Sequence, residues 1–244
     1  MNIMTTPEHR IGKSVVRVVD KNGNAVADKD LVLNQKSHQF LFGSGAFDFL
    51  DYEGKKADKD RQEKWLKLMN YGTLPFYWGR YEPEEGYPQY QQLKDASEVL
   101  KANNITMKGH PLCWHTVCAD WLLKYSDEVI MDKQLERINR EVTAFKGTID
   151  IWDVINEVVI MPIFDKYDNA VTRLCNKYGR VGLVKEVFAA ARAANPNGTF
   201  LINDFNTTLK YEQLIEDLLD AGVEISAIGI QSHQHQGYWG TEKL

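Results

Sequence analysis

The sequence predicts an α/β fold of the (β/α)8 TIM-barrel type, incomplete with about six βα units and preceded by an N-terminal β-hairpin flap. From about residue 40 onward, short apolar runs alternate with longer amphipathic stretches, which is typical of a parallel sheet covered by helices. Polar residues cluster at the carboxyl ends of these runs, as at the mouth of a barrel. Gly43-Ser44-Gly45 lacks the remaining spacing of the phosphate-binding turn that would favour an open doubly wound sheet.

Each element follows from a local pattern. Alternating apolar and polar residues surround Asn22-Gly23, a strong two-residue hairpin signal, and we expect this flap to pack on the main body. Apolar runs predict six strands, at 40–47, 70–78, 105–115, 149–157, 199–206 and 225–235. Amphipathic patterns predict helices at 59–69, 91–104, 132–147, 181–198 and 211–222, several of them ending in Asn or Gly.

Composition favours one soluble globular domain over residues 1–244. A formal net charge of −5 with interspersed signs offers no basic tract for nucleic acid or an anionic membrane, so we expect a neutral or polar substrate and no nucleic-acid or membrane partner. No apolar stretch is long enough to span a bilayer, and the first residues lack the apolar centre of a secretion signal. The three cysteines, Cys113, Cys118 and Cys175, are expected to be buried free thiols.

Glu157 is the sharpest candidate for chemistry. It ends the strand-like run "IDIWDVINE", where neighbouring strands and Trp152 would partly desolvate the carboxyl group and hold its proton near neutral pH. A general acid needs that property. The alternative is a structural role, as a helix-entry glutamate or an ion-pair partner. Polar residues at the other strand ends favour the site: His110, Trp114, His115, Asn156, Asn203, Asp204, Asn206, Gln231, His233 and His235.

Four segments resemble one enzyme family in the same order along the chain. "WDVINE" is similar to the strand-four signature of the family 10 glycoside hydrolases, which are retaining endo-1,4-β-xylanases on a (β/α)8 barrel. "GHPLCWH", "LINDFN" and "IGIQSHQ" are similar to that family's motifs on strands three, five and six. The resemblance covers essentially the whole chain.

The resemblance implies a role for each matching residue. Glu157 would be the general acid/base, and Asn156 would hydrogen-bond the 2-hydroxyl of the sugar being cleaved. His110 and Trp114 would line the same subsite, while Gln231 and His233 would orient the nucleophile and contact that sugar. The substrate would be xylan or a related plant polysaccharide or oligosaccharide. No metal and no cofactor is implied, and a polymer-degrading enzyme is expected outside the cytosol, in the extracellular space or periplasm.

Two departures from the family pattern bear on activity. Retaining hydrolysis needs a second carboxylate about 5 Å from the first, which the family supplies from strand seven. The printed sequence stops just after strand six, and Glu242 follows no apolar strand, so we expect the nucleophile to be missing and this chain to be inactive or weak. On strand two, "TLPFYWGRYEPEEG" replaces the family's Glu-Asn pair and Lys. There Tyr77, Trp78 and Arg80 would contact the sugar instead, and Glu82, Glu84 and Glu85 are expected to form a solvated loop.

Other interpretations stay open. Six strands cannot close an eight-stranded barrel, so exposed edges favour either self-association or a fragment of a longer chain. A non-catalytic carbohydrate-binding pseudoenzyme is the alternative within this fold. A metal-dependent hydrolase is a further alternative, because the side chains of His233 and His235 would point to one side of a strand while His110 and His115 lie on another.

Overall fold

The computed structural model describes residues 12–52, 54–233 and 237–240, and the chain divides into two units, residues 1–39 and 40–244. In the first unit, Val19 pairs antiparallel with Ala25 around the predicted Asn22-Gly23 turn. The Asp20 carboxylate accepts hydrogen bonds from the backbone N–H groups of Asn22 and Asn24. The predicted hairpin turn is therefore confirmed, whereas its packing on the main body stays a prediction.

The second unit contains one parallel sheet of six strands in the order β1 to β6. Each strand pairs with the one before it in the chain, which is the order of a barrel wound in a single direction; an open doubly wound sheet reverses its order partway. The fold is therefore an incomplete (β/α)8 barrel, as predicted. The strands are Gly43–Gly45 (β1), Tyr71–Pro75 (β2), Thr106–His110 (β3), Ile151–Asn156 (β4), Thr199–Asp204 (β5) and Ala227–Ile230 (β6).

Helices separate successive strands. All five predicted helices are present, but α4 and α5 begin earlier than their patterns indicated. The run assigned to α5 is interrupted at Gly179, whose φ of +71° is outside the helical range. β2 ends at Pro75, before the predicted residue 78, and a one-turn helix, α2, begins at Trp78. The helices are Lys59–Leu68 (α1), Trp78–Tyr81 (α2), Tyr90–Ala102 (α3), Asp127–Phe145 (α4), Ala170–Ala194 (α5) and Leu209–Asp220 (α6).

Trp152 is at the centre of the core between the sheet and the helices. Its ring is fully buried and packs edge-on against Phe76 and Phe145, with centroids 4.8 and 6.4 Å away, and its indole N–H donates to the Ile149 carbonyl. Gly109 on β3 makes room for the ring, because a Cβ at this position would clash with it. Trp152 thus faces the helix layer, away from Glu157.

A buried arginine joins the ends of two strands. Arg137 of α4 donates hydrogen bonds to the carbonyls of Phe76 and Leu112, which follow β2 and β3. The guanidinium group also lies over the Trp78 ring, 4.9 Å from its centroid. Its charge is offset nearby by Glu141, whose carboxylate accepts a hydrogen bond from the Tyr81 hydroxyl. These contacts fix the two loops that carry Tyr77 and Trp114.

All three cysteines are buried and free, as expected. Burial raises the pKa of each thiol, to about 11 for Cys118 and Cys175. In the described part of the chain, no helix combines the length and apolar character that crossing a bilayer requires.

Candidate active site

Glu157 comes directly after β4 and turns the chain out of the strand. Its φ of +58° is in the left-handed region, which a side chain with a Cβ adopts at a cost, and its N–H donates to the Asn203 carbonyl at 2.8 Å. Neighbouring residues in a strand point to opposite faces. The left-handed turn instead lets Glu157 and Asn156 bind the same side chain, Gln231.

The Glu157 carboxyl group is partly buried and is held from two sides. Trp114 Nε1 donates to Oε2 at 2.9 Å, and Gln231 Nε2 donates to Oε1 at 3.2 Å. Burial raises the pKa of Glu157, and the negative charge of Asp204 adds to this, although the two hydrogen bonds oppose it. The net pKa lies above the ordinary glutamate value, as a proton donor requires.

This shift predicts a pH-dependent difference in stability between the unaltered chain and Glu157→Gln. The folded chain holds the Glu157 proton to higher pH than the unfolded chain does, so stability is lost as pH rises from the unfolded pKa through the folded one. Glutamine does not titrate. We therefore expect the variant to gain stability relative to the unaltered chain as the pH rises above about 4.3, the pKa of glutamate in peptides, as measured by urea unfolding at a series of pH values. A pH-independent difference would contradict the raised pKa.

Asn156 is the last residue of β4 and directly precedes Glu157. It is almost completely buried, and its Oδ1 accepts hydrogen bonds from Asn203 Nδ2 at 2.8 Å and from Gln231 Nε2 at 2.9 Å. Two donors on the oxygen fix the orientation of the amide, with its NH2 group on the opposite side. The arrangement fixes the orientation of that NH2 group as a hydrogen-bond donor.

His110 is held by Asp153, which in turn pairs with Lys108, and sequence reasoning missed both residues. His110 Nδ1 donates to Asp153 Oδ2 at 2.6 Å, and Lys108 Nζ lies 2.7 Å from the same oxygen. Burial of Asp153 would raise its pKa, but the hydrogen bond and charge of His110 and the charge of Lys108 outweigh it, so the pKa of Asp153 is lowered. A charged residue within each apolar strand, one in β3 and one in β4, was the available signal.

Aromatic rings form one wall of the site. The Tyr77 ring lies 5.7 Å from His110, edge to face, and 5.6 Å from Trp114. Trp114 therefore both binds the Glu157 carboxylate and extends this wall. His115, the next residue, is instead buried against Phe164, and burial lowers its pKa to about 4.

Two strand-two expectations need correction. Trp78 is buried and donates its indole N–H to Glu82 Oε2 at 3.1 Å, so it belongs to the core. Glu82 was expected in a solvated loop but is also buried, because Arg140 pairs with its carboxylate at 2.7 Å. Its partner is 58 residues away in the sequence, and no local pattern reveals it.

The histidines of the β6 end are only partly described. His233 follows Gln231 by two residues and is exposed, while His235 and Glu242 lie outside the described residues. In the ranges 12–52, 54–233 and 237–240, no three His, Cys, Asp or Glu side chains are grouped so that they would hold a metal ion.

The chain matches known glycoside hydrolases in sequence and in structure. It is 28% identical over 169 residues to endo-1,4-beta-xylanase A of Xylanibacter ruminicola, which covers 64% of this chain and 44% of that protein. A match to endo-1,4-beta-xylanase A of Thermotoga maritima, also 28% identical, covers 96% of this chain and 21% of that protein. Xylanase XynB of Paenibacillus barcinonensis, solved with a conduramine derivative, superimposes with a TM-score of 0.64 at 26% identity, over 75% of this chain and 58% of that one.

The chain spans less than half the length of the first curated relatives it matches. The family model for glycosyl hydrolase family 10 matches residues 75–244, which include β3 to β6 and every residue of the Glu157 site described above. The chain therefore belongs to glycosyl hydrolase family 10.

Proposed function

We propose that this chain carries the sugar-binding and proton-donating half of a retaining endo-1,4-β-xylanase-like glycoside hydrolase acting on xylan or a related plant polysaccharide. The observation that carries the proposal is the half-buried Glu157 carboxyl group, whose pKa is raised and whose two oxygens are oriented by Trp114 and Gln231. The names of the matched relatives support the choice of substrate.

In this mechanism Glu157 gives its proton to the glycosidic oxygen as the bond to the leaving sugar breaks. Protonation turns a poor alkoxide leaving group into an alcohol. The carboxylate that results is stabilised in place by the Trp114 and Gln231 donors, and it then removes a proton from the incoming water. One group serves both steps because its proton affinity is intermediate.

Asn156 and His110 would position the sugar that undergoes cleavage. The orientation of the Asn156 amide is fixed by Asn203 and Gln231, and its NH2 group would donate to the 2-hydroxyl of the sugar. The His110 ring is fixed by Asp153, which leaves its Nε2 for a sugar hydroxyl. His233 would contact the same sugar from the end of β6.

We further propose that the 244-residue chain hydrolyses xylan weakly, because among the described residues neither carboxylate that acts on the site is available to serve as the nucleophile. The carboxylates of Asp153 and Asp204 are close enough to act on the site electrostatically, yet both are bound by other protein groups. Asp153 is paired with Lys108 and His110, and Asp204 accepts the N–H groups of Val159 and Asn206. This observation favours the second candidate function, a carbohydrate-binding pseudoenzyme.

Calorimetry with xylotetraose tests the binding part of the proposal. We expect Asn156→Ala to weaken binding by about tenfold, since loss of a buried hydrogen-bonding group costs about 1–3 kcal/mol. The matched control Asn103→Ala changes an asparagine at the end of α3, outside the site, and should bind as the unaltered chain does. If the unaltered chain binds no xylo-oligosaccharide, the proposed function is wrong.

We propose that copies of the 244-residue chain associate through the edges of the sheet. Among the described residues, β1 and β6 each have a strand on one side only, and apolar side chains are exposed there, including Phe42, Ile228 and Ile230. Open parallel edges of one sheet are complementary, so a second copy of the chain is the expected occupant. Light scattering should give a mass above 28.0 kDa, and a monomer at micromolar concentration would contradict this.

The place of action is proposed to be the extracellular space or periplasm, where a polymeric plant glycan is encountered. The resemblance to polymer-degrading enzymes supports this.

A further inference from the structure

A cavity lies between the part of α5 that follows the Gly179 interruption and the first turns of α6. Its volume is about 760 Å³, within the range of small-ligand sites. It is lined by side chains of both helices and by Val159, the second residue after Glu157. The cavity is open at Gly179, where a Cβ would meet no atom within 4 Å. A small molecule can therefore enter without any change in the helices.

Two cationic side chains line this cavity and keep unused hydrogen-bond donors. Lys210, the second residue of α6, is exposed, and its ammonium group binds no other group in the described part of the chain. Arg180 donates from Nε and Nη2, which leaves Nη1 without a partner among the described residues. In the described lining the only carboxylate is Asp217, which accepts from Gln213 Nε2 at 3.1 Å. The excess of one positive charge favours an anion with a single negative charge.

The walls beside these charges are apolar. Leu209, the first residue of α6, is 78% exposed, and Tyr178 of α5 is 37% exposed. Val181 and the buried Leu214 add further apolar surface. An inorganic ion would leave these surfaces in water, whereas a ligand with an apolar body would cover them. The lining therefore indicates a ligand that combines one anionic group with an apolar body.

Arg180 connects the cavity to the segment that follows Glu157. Its Nε lies 3.2 Å from the carbonyl oxygen of Val158 and 3.1 Å from that of Val159, and its Nη2 donates to the Val159 carbonyl at 2.6 Å. The Val159 N–H donates in turn to Asp204 Oδ2 at 3.0 Å. The guanidinium group is thus held in place before a ligand arrives, which reduces the entropy lost on binding. Because the group is planar and rigid, a ligand on Nη1 also acts on these two carbonyl contacts.

We propose that this cavity binds a small organic carboxylate, with Arg180 and Lys210 on the carboxylate and with Tyr178 and Leu209 on the apolar body. A neutral sugar chain would leave both cations unmatched, so the ligand differs in class from the proposed substrate.

Titrations followed by amide NMR on the full chain test this with three probes: benzoate, its neutral analogue benzamide, and inorganic phosphate. We expect benzoate to bind with a Kd of about 1–10 mM, as suits a ligand of its size. Benzamide lacks the charge and phosphate lacks the apolar body, so each should bind at least about tenfold more weakly. Benzoate should also move the amide signals of Val159 and Ile160, because their peptide groups contain the two carbonyls that accept from Arg180.

Two variants locate the bound benzoate. Lys210→Gln removes one charge at an exposed position, so the variant should fold as the unaltered chain does and bind benzoate about three- to fivefold more weakly. Leu209→Ala removes apolar surface and should weaken binding by about threefold. Lys67→Gln changes an exposed lysine in the last turn of α1 and is the matched control, which should bind benzoate as the unaltered chain does.

Several outcomes would overturn the inference. One is the absence of benzoate binding at about 50 mM. Another is binding of benzamide or phosphate as tight as that of benzoate, since apolar contact alone or charge alone would then account for it. Equal affinities of Lys210→Gln and Lys67→Gln, or unchanged signals of Val159 and Ile160, would place benzoate elsewhere on the protein. These titrations use no xylan, so their outcome is independent of the proposed function.

Discussion

Replacing Glu157 with glutamine is expected to lower the proposed slow hydrolysis of xylan by about 10²–10⁴-fold, the usual contribution of a general acid. Glutamine keeps the size of the side chain and one hydrogen-bond acceptor, but it has no proton to give the leaving oxygen. Binding of xylotetraose should stay within about threefold, because the substitution leaves the proposed sugar-binding residues Asn156 and His110 in place. Product analysis after long incubations at high protein concentration measures the rate.

Glu98→Gln is the matched control for this experiment, because Glu98 lies on the exposed surface of α3 and pairs with Lys94 four residues away. It should hydrolyse xylan at the rate of the unaltered chain. A Glu157→Gln variant that also keeps that rate would remove Glu157 from the mechanism. The proton donor would then have to be sought elsewhere.

Replacing Trp152 with alanine is expected to destabilise the fold by about 3–5 kcal/mol, the cost of deleting a large buried aromatic side chain. The ring fills the space above Gly109 and contacts Phe76 and Phe145, and these neighbours belong to different elements that cannot all move inward. Its indole N–H, which donates to Ile149, is lost as well. Urea unfolding gives the free energy of unfolding, provided that the slope with denaturant is unchanged.

The loss of packing around Trp152 should also affect the Glu157 site, because Asp153 follows Trp152 directly and binds His110. Tyr87→Ala, at an exposed position, should change stability by no more than about 0.5 kcal/mol. A Trp152→Ala variant as stable as that control would mean that the packing between sheet and helices is not organised around this ring.

Sequence patterns were sufficient for the strands and their order, because buried parallel strands leave long apolar runs that few other structures produce. The strand ends were less predictable. β3 was expected to continue to residue 115 but ends at His110, since Pro111 has no N–H to donate to the neighbouring strand. The part of α5 before Gly179 was also missed, because this glycine, with its positive φ, interrupts the helix.

The candidate site was predictable where polar residues ended a strand and not where they lay within one. Asn156, Glu157 and Gln231 interrupt apolar patterns, and in the structure Gln231 donates hydrogen bonds to the side chains of both Asn156 and Glu157. Lys108 and Asp153 lie inside strands, and only the sheet register reveals that they meet beside His110. The Glu157 carboxyl group is partly buried, as its sequence position predicts. The tryptophan that contacts it is Trp114 and not Trp152.

The proton affinity of Glu157 can be measured directly by carboxyl NMR, with Glu157→Gln used to assign the signal. We predict that this carboxyl group titrates above the pKa of about 4.3 found for glutamate in peptides, and that bound xylotetraose raises it further by excluding water. A carboxyl group that titrates at or below the peptide value, with or without the sugar, would contradict its assignment as the proton donor.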